Sequence, residues 1–229
     1  MYKKLRDLPA PQGLYDPAYE HDSCGIGLVV NIKGNRSYNI IDDALTILEN
    51  LKHRGAEGAD AKSGDGAGIL VQIPHQFFVR ECEVLGISLP AAGDYGVGMI
   101  FSHRYEGFRK KQMADFERIV RKEGLSILGW RDVPVDESLI GSMAKTICPH
   151  FLQVFIKRDP SLQTTMDFER KLYVIRKIAE KEIIPESQEK GSDFYIASLS
   201  SQTIVYKGML TSVQLRHFYL DLSDLDFTT

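Results

Sequence analysis

From Cys24 onward, short apolar runs bounded by glycine and proline alternate with longer stretches whose apolar residues recur every three or four positions. The first pattern has the period of a strand and the second that of an amphipathic helix. A chain that keeps switching between them must bury sheet faces against helix stripes. It therefore folds as a layered α/β or α+β domain. Cys24-Gly25-Ile26-Gly27-Leu28-Val29-Val30 reads as a first strand, and Gly34-Asn35 as a turn. Asp42 is the expected N-cap of a helix through Lys52, which Gly55 can end. The bend Gly64-Asp65-Gly66-Ala67-Gly68 leads into the strand Ile69–Ile73, closed by Pro74.

Further strands are expected at Tyr95–Ser102, Ser126–Val133 and His150–Lys157. Helices are expected at Phe108–Lys122 and Thr165–Ile184. Phe194–Ser200 and Thr203–Leu210 read as a hairpin across Ser201-Gln202, and Thr211 caps a last helix through Tyr219. The first 23 residues behave differently. Lys3, Lys4 and Arg6 imitate the start of a signal peptide, but no apolar segment follows. Pro9, Pro11, Gly13 and Pro17 forbid a continuous helix, so Met1–Ser23 is an extended leader before a domain spanning residues 24–229.

Composition excludes several classes. No apolar run approaches the roughly 18 residues of a membrane span. The 28 Lys+Arg against 31 Asp+Glu give a net charge of -3, which argues against a general nucleic-acid binder. Three cysteines without regular spacing make no disulfide framework and point to a reducing, cytoplasmic setting. The histidines form no His-x-x-x-His pair and no two cysteines stand two apart, so no metal site is expected. The glycine-rich bend lacks the Gly-Lys-Ser/Thr ending of a phosphate loop.

The candidate residues are ambiguous one by one. Cys24 at a strand start reads either as a small buried hydrophobe or as a nucleophile. Arg54 reads either as a charge meeting a helix C-terminus or as part of a site with Gly55. Cys82 and Cys148 have apolar neighbours and read as core.

Together these pieces carry a resemblance. His21-Asp22-Ser23-Cys24-Gly25-Ile26-Gly27 resembles the processing junction of the glutamate synthase large chain. So do Leu51-Lys52-His53-Arg54-Gly55-Ala56, Gly64 to Leu70, and Ser198 to Leu210, in the family's order. The resemblance implies a class II glutamine amidotransferase domain with the α+β fold of N-terminal-nucleophile hydrolases, a four-layer αββα sandwich. It implies cleavage between Ser23 and Cys24, so that Cys24 becomes the N-terminal nucleophile. Its free α-amine, with an ordinary pKa of about 7.7 to 8.0, then serves as base. The substrate implied is L-glutamine, hydrolysed to glutamate and ammonia. Arg54 and Gly55 match the family's Arg-Gly pair beside the cysteine. FMN and an iron–sulfur cluster are implied for other domains of the parent enzyme, with no cofactor in this chain.

The match also departs from the family pattern. The Arg-Phe-Ser-Thr-Asn segment that holds the glutamine carboxylate and the Asn-Gly-Glu segment of the oxyanion hole are absent from these 229 residues. Loss of one oxyanion donor typically costs about 10²- to 10³-fold in rate. The expectation is a domain incomplete at its C-terminus and of little activity alone, able to associate through an unpaired sheet edge. The alternatives are a catalytically silent fragment with only an interaction role, or another class II amidotransferase.

Overall fold

A computed structural model describes residues 11–13, 25–52, 62–64, 66–189 and 193–229. In chain order its elements are α1 (Tyr38–Asn50), β1 (Ala67–Gln72), α2 (His75–Val84), β2 (Tyr95–Ser102), α3 (Glu106–Lys122), β3 (Ser126–Asp132), α4 (Ser142–Ile147), β4 (His150–Lys157), α5 (Thr165–Glu189), β5 (Tyr195–Ser200), β6 (Thr203–Gly208) and α6 (Ser212–Phe218). The strands form two sheets. One has the order β3-β4-β2-β5, all antiparallel, and the other pairs β1 with β6.

The four-stranded sheet is buried on both faces. Along β4, Leu152, Val154 and Ile156 point into one core and Phe151 and Phe155 into another, as the period of two demands. The first core is closed by α3 and α5 through Phe116, Ile119, Val120, Phe168, Leu172 and Ile175, all fully buried. The second joins the sheet to β1, β6, α1, α2 and α6. There the two sheets meet directly: Gln153 of β4 donates through Nε2 to Tyr206 Oη of β6 at 2.8 Å.

A charged group lies in this second core. Arg131 is 4% exposed and its guanidinium donates to both carboxylate oxygens of Asp221, at 2.9 and 2.8 Å. Tyr206 donates to the same carboxylate at 2.7 Å, and Glu81 accepts from Arg131 at 2.9 Å. Burial alone would favour a neutral arginine, but these carboxylates hold Arg131 firmly charged.

Several expectations are corrected. The segment 25–30 is not a strand. A strand needs a ladder partner, and β1 is paired on one edge only among the described residues. Ile26, Leu28, Val30 and Ile32 accordingly stand exposed. The expected hairpin is instead a corner between sheets, with β5 in the four-stranded sheet and β6 in the two-stranded one. The Ser198 hydroxyl accepts the Val205 N–H, and Glu169 of α5 accepts from both the amide and the hydroxyl of Ser201.

Helix α1 begins at Tyr38, four residues before the expected cap. Its first buried residue, Ile41, already belongs to the core, and Asp42 pairs with Arg216 of α6. Helices α2 and α4 were not expected, and α5 runs beyond Ile184 with Pro185 inside it. Gly55 lies outside the described residues. The strands expected at 95–102 and 150–157 agree with β2 and β4, and Thr211 and Gln214 form a reciprocal capping box at α6.

Candidate functional site

A cavity of about 650 Å³ opens between the segment following Cys24, helix α1 and the strand β1. That volume suits a small molecule, whose pockets typically span about 300 to 1,000 Å³. One wall is the chain from Gly25 to Asn31. The second is the face of α1 bearing Ile40, Ala44, Ile47 and Leu48, and the third is Gly68–Gln72. Thr203 and Thr229 also line it.

Two glycines shape this site through close approach. A Cβ at Gly27 would collide with the Ile47 side chain, and one at Gly25 would come within 3.0 Å of Leu51. The glycines at the start of the segment therefore let it lie against α1. Gly64 sits against backbone: a Cβ there would strike the carbonyl of Leu210 and come within 2.5 Å of the Thr211 nitrogen. Gln214 adds a donated hydrogen bond to the Lys62 carbonyl at 2.8 Å. The start of α6 thus holds the bend that feeds β1.

The expected site residues Ser23, Cys24, Arg54 and Gly55 lie outside the described residues, as do Asp65 and most of the expected leader. Their chain neighbours are described. Gly25, which follows Cys24, lines the cavity, and so does Leu51, three positions before Arg54.

The other cysteines are unsuited to nucleophilic work. Cys82 is fully buried, and burial pushes its thiol up to about 12. Burial likewise pushes Cys148 up to about 11. A nucleophile must be a thiolate near neutral pH, so both read as core, as expected. Among the described residues no group of His, Cys, Asp or Glu is placed to hold a metal ion, and no helix is long and apolar enough to cross a membrane.

Sequence reasoning missed the polar lining. Arg36 stands on the wall and donates to the Ile73 carbonyl at 3.4 Å. Behind it, His75 Nδ1 lies 3.0 Å from Tyr95 Oη. Burial, and then the charge of Arg36, lower the pKa of His75, favouring the neutral ring. Gln72, Thr203 and Thr229 add to the polar lining. They are far apart in sequence, and no local signal marks them.

Comparison with known proteins identifies the family of the chain. Residues 24–229 match the family model of class-II glutamine amidotransferases. The chain is 49% identical over 222 residues to the glutamate synthase [NADPH] large chain of Bacillus subtilis, covering 97% of this chain and 14% of that protein. It is 42% identical over 227 residues to the glutamate synthase [NADH] of Schizosaccharomyces pombe, covering 97% and 10% respectively. A chloroplastic ferredoxin-dependent glutamate synthase of Arabidopsis thaliana is 41% identical over 218 residues, with 93% and 13% covered. The chain thus spans about a seventh or less of the length of these relatives.

Proposed function

Because the chain belongs to the class-II glutamine amidotransferases, we propose that it is the glutaminase part of a glutamate synthase, acting through Cys24. The observation that carries this reading is a coincidence of position. The family match begins at Cys24, and the residue that follows it, Gly25, lines the cavity. The elevated thiol pKa values of the other two cysteines support the same choice.

In this reading cleavage after Ser23 frees the α-amine of Cys24. The amine takes the thiol proton, and the thiolate attacks the side-chain amide carbon of L-glutamine. A tetrahedral oxyanion forms. The C–N bond breaks, the proton on the α-amine passes to the leaving nitrogen, and ammonia departs from a glutamyl thioester. Water, deprotonated by the same amine, then cleaves the thioester to glutamate and restores the thiol. Arg54 and Gly55 position the nucleophile and its loop. The ammonia serves amination of 2-oxoglutarate in the rest of the enzyme. The setting is cytoplasmic, and the two sheets are the inner layers of an αββα sandwich.

FMN and an iron–sulfur cluster belong to other domains in this reading. A cluster needs grouped cysteine thiolates. Cys82 and Cys148 are separately buried thiols, so these residues do not fit one. Self-association through the edge of β1 that is unpaired among the described residues, and through the exposed Ile26, Leu28 and Val30, is part of the same proposal.

The test is intact mass and N-terminal sequence, followed by reaction with 6-diazo-5-oxo-norleucine, a glutamine analogue that traps such thiols. A chain beginning at Cys24 and modified there, with Cys24→Ala unmodified, is the expected result. A processed chain whose Cys24 ignores the analogue yet reacts with iodoacetamide would overturn the assignment.

A further inference from the structure

Residues 221–229 are held to the core at several points. Asp221 is 2% exposed and bonded to Arg131 and Tyr206. Arg80 pairs with both Asp224 and Asp226. Phe227 is fully buried, with ring centroids 5.0 Å from Phe77 and 5.6 Å from Tyr206. Three charged anchors and one buried ring thus hold the segment over a few residues.

The free bonds of this segment go to two walls of the cavity. Tyr38, the first residue of α1, donates through Oη to the Leu222 carbonyl at 3.0 Å. The Ser37 amide donates to the Thr229 carbonyl at 3.1 Å. Thr229 Oγ1 donates to the carbonyl of Gln72, the last residue of β1, at 3.3 Å. So one short segment, rooted in the core, bonds both the start of α1 and the end of β1. Those elements form the second and third walls of the cavity.

We propose that residues 221–229 are a strap that sets the separation of α1 and β1, with Asp221 as its positioning residue. The strap works through geometry. Asp221 is not among the described lining residues, but its bond to Arg131 fixes where the chain leaves the core, and the following residues carry that position to Ser37 and Gln72. For the glutaminase reading, on which its functional meaning rests, the strap holds the cavity at the width that accepts glutamine.

The experiment uses the full chain and two variants. Tyr38→Phe removes a single tie and leaves the core packing in place. Asp221→Asn keeps the shape of the anchor and removes its charge. Hydrogen exchange is followed by mass spectrometry without glutamine. Exchange in 33–50, 67–73 and 221–229 is expected to rise together, about threefold for Tyr38→Phe and about tenfold or more for Asp221→Asn. Helices α3 and α5, which border the other core, should accelerate less. Equal acceleration of α3 and α5 in both variants would reduce Asp221 and Tyr38 to general stability and overturn the strap. So would a change confined to the segment that carries the substitution.

A second readout separates position from stability. Capture of Cys24 by 6-diazo-5-oxo-norleucine should slow about tenfold in Asp221→Asn, while its reaction with the smaller iodoacetamide keeps its rate. Equal slowing with both reagents would count against the strap. If the processed, unsubstituted chain ignores the analogue while its Cys24 reacts with iodoacetamide, the glutaminase reading fails, and the exchange pattern still decides the strap.

Discussion

Replacing Arg131 by methionine strips one cation from two carboxylates that it meets at nearly equal distance. Asp221 Oδ1 lies 2.8 Å from the guanidinium and Glu81 Oε2 lies 2.9 Å from it. Their surroundings differ: the Asp221 side chain is 1% exposed and that of Glu81 is 30% exposed. Breaking a buried pair from one side leaves an uncompensated charge and costs about 3–5 kcal/mol. Arg131→Met should therefore lower the melting temperature by about 6–20 °C, at about 2–4 °C per kcal/mol for a chain of this size. Glu81→Gln removes the solvated partner and should cost about 0–1 kcal/mol. The double variant Arg131→Met/Asp221→Leu removes both buried charges. Its remaining deficits are the Tyr206 hydroxyl, which loses its acceptor, and the Gln153 side-chain oxygen, which loses the Arg131 donor, at about 1–3 kcal/mol each. Urea denaturation followed by circular dichroism measures these three variants, Asp221→Leu alone and the unsubstituted chain. If Arg131→Met costs less than about 1 kcal/mol, or if the double variant loses the sum of its parts, the ion pair is not a buried, coupled unit.

Other consequences follow from single contacts. Gly64→Ala pushes a Cβ into the backbone at Leu210 and Thr211, which cannot yield as a flexible side chain would. A loss of about 1–3 kcal/mol is expected in thermal denaturation, and an unchanged melting temperature would show that the bend is not seated there. The native chain should present one rapidly labelled thiol at neutral pH and three after denaturation, because burial holds Cys82 and Cys148 protonated. Two fast native thiols in a dithio-bis-nitrobenzoate assay would contradict this. His75 has a folded-state pKa below its unfolded value. The unfolded state binds its proton first, so stability declines as pH falls from about 6.5 through the folded pKa. His75→Gln should flatten that stretch of the stability–pH curve, and an identical slope in both proteins would refute it.

The regular elements were legible where the period was strong. Phe168, Leu172 and Ile175 repeat at helical spacing and lie fully buried on α5. Thr211 and Gln214 announce their own helix start through a three-residue capping box. Helix α2 was hidden because His75–Val84 mixes Phe77, Phe78 and Cys82 with charged residues, and Pro74 reads equally as a strand end and a helix start. The family was legible as blocks of residues, since His21–Gly27 and Leu51–Ala56 carry the resemblance in their order. The cavity walls were not. Arg36, Gln72, Thr203 and Thr229 meet across the cavity although they are scattered over the chain. Nothing local to any of them encodes that meeting.

By itself the sequence determined what depends on neighbours along the chain. These features are the phase of strands and helices, the cap at Thr211, and the family to which residues 24–229 belong. Only the tertiary structure decided which sheet each strand joined. The short corner at Ser201-Gln202 suits a hairpin as well as a crossing between sheets. The choice fell to partners far away: Glu169 on α5, which binds Ser201, and β1, which pairs with β6. It also decided that the acidic segment from Asp221 is an anchored strap, because Arg131 waits for it in the core. The physical reason is range. Backbone period and capping act over one turn or one pleat, whereas pairing and desolvation depend on residues that only folding brings together.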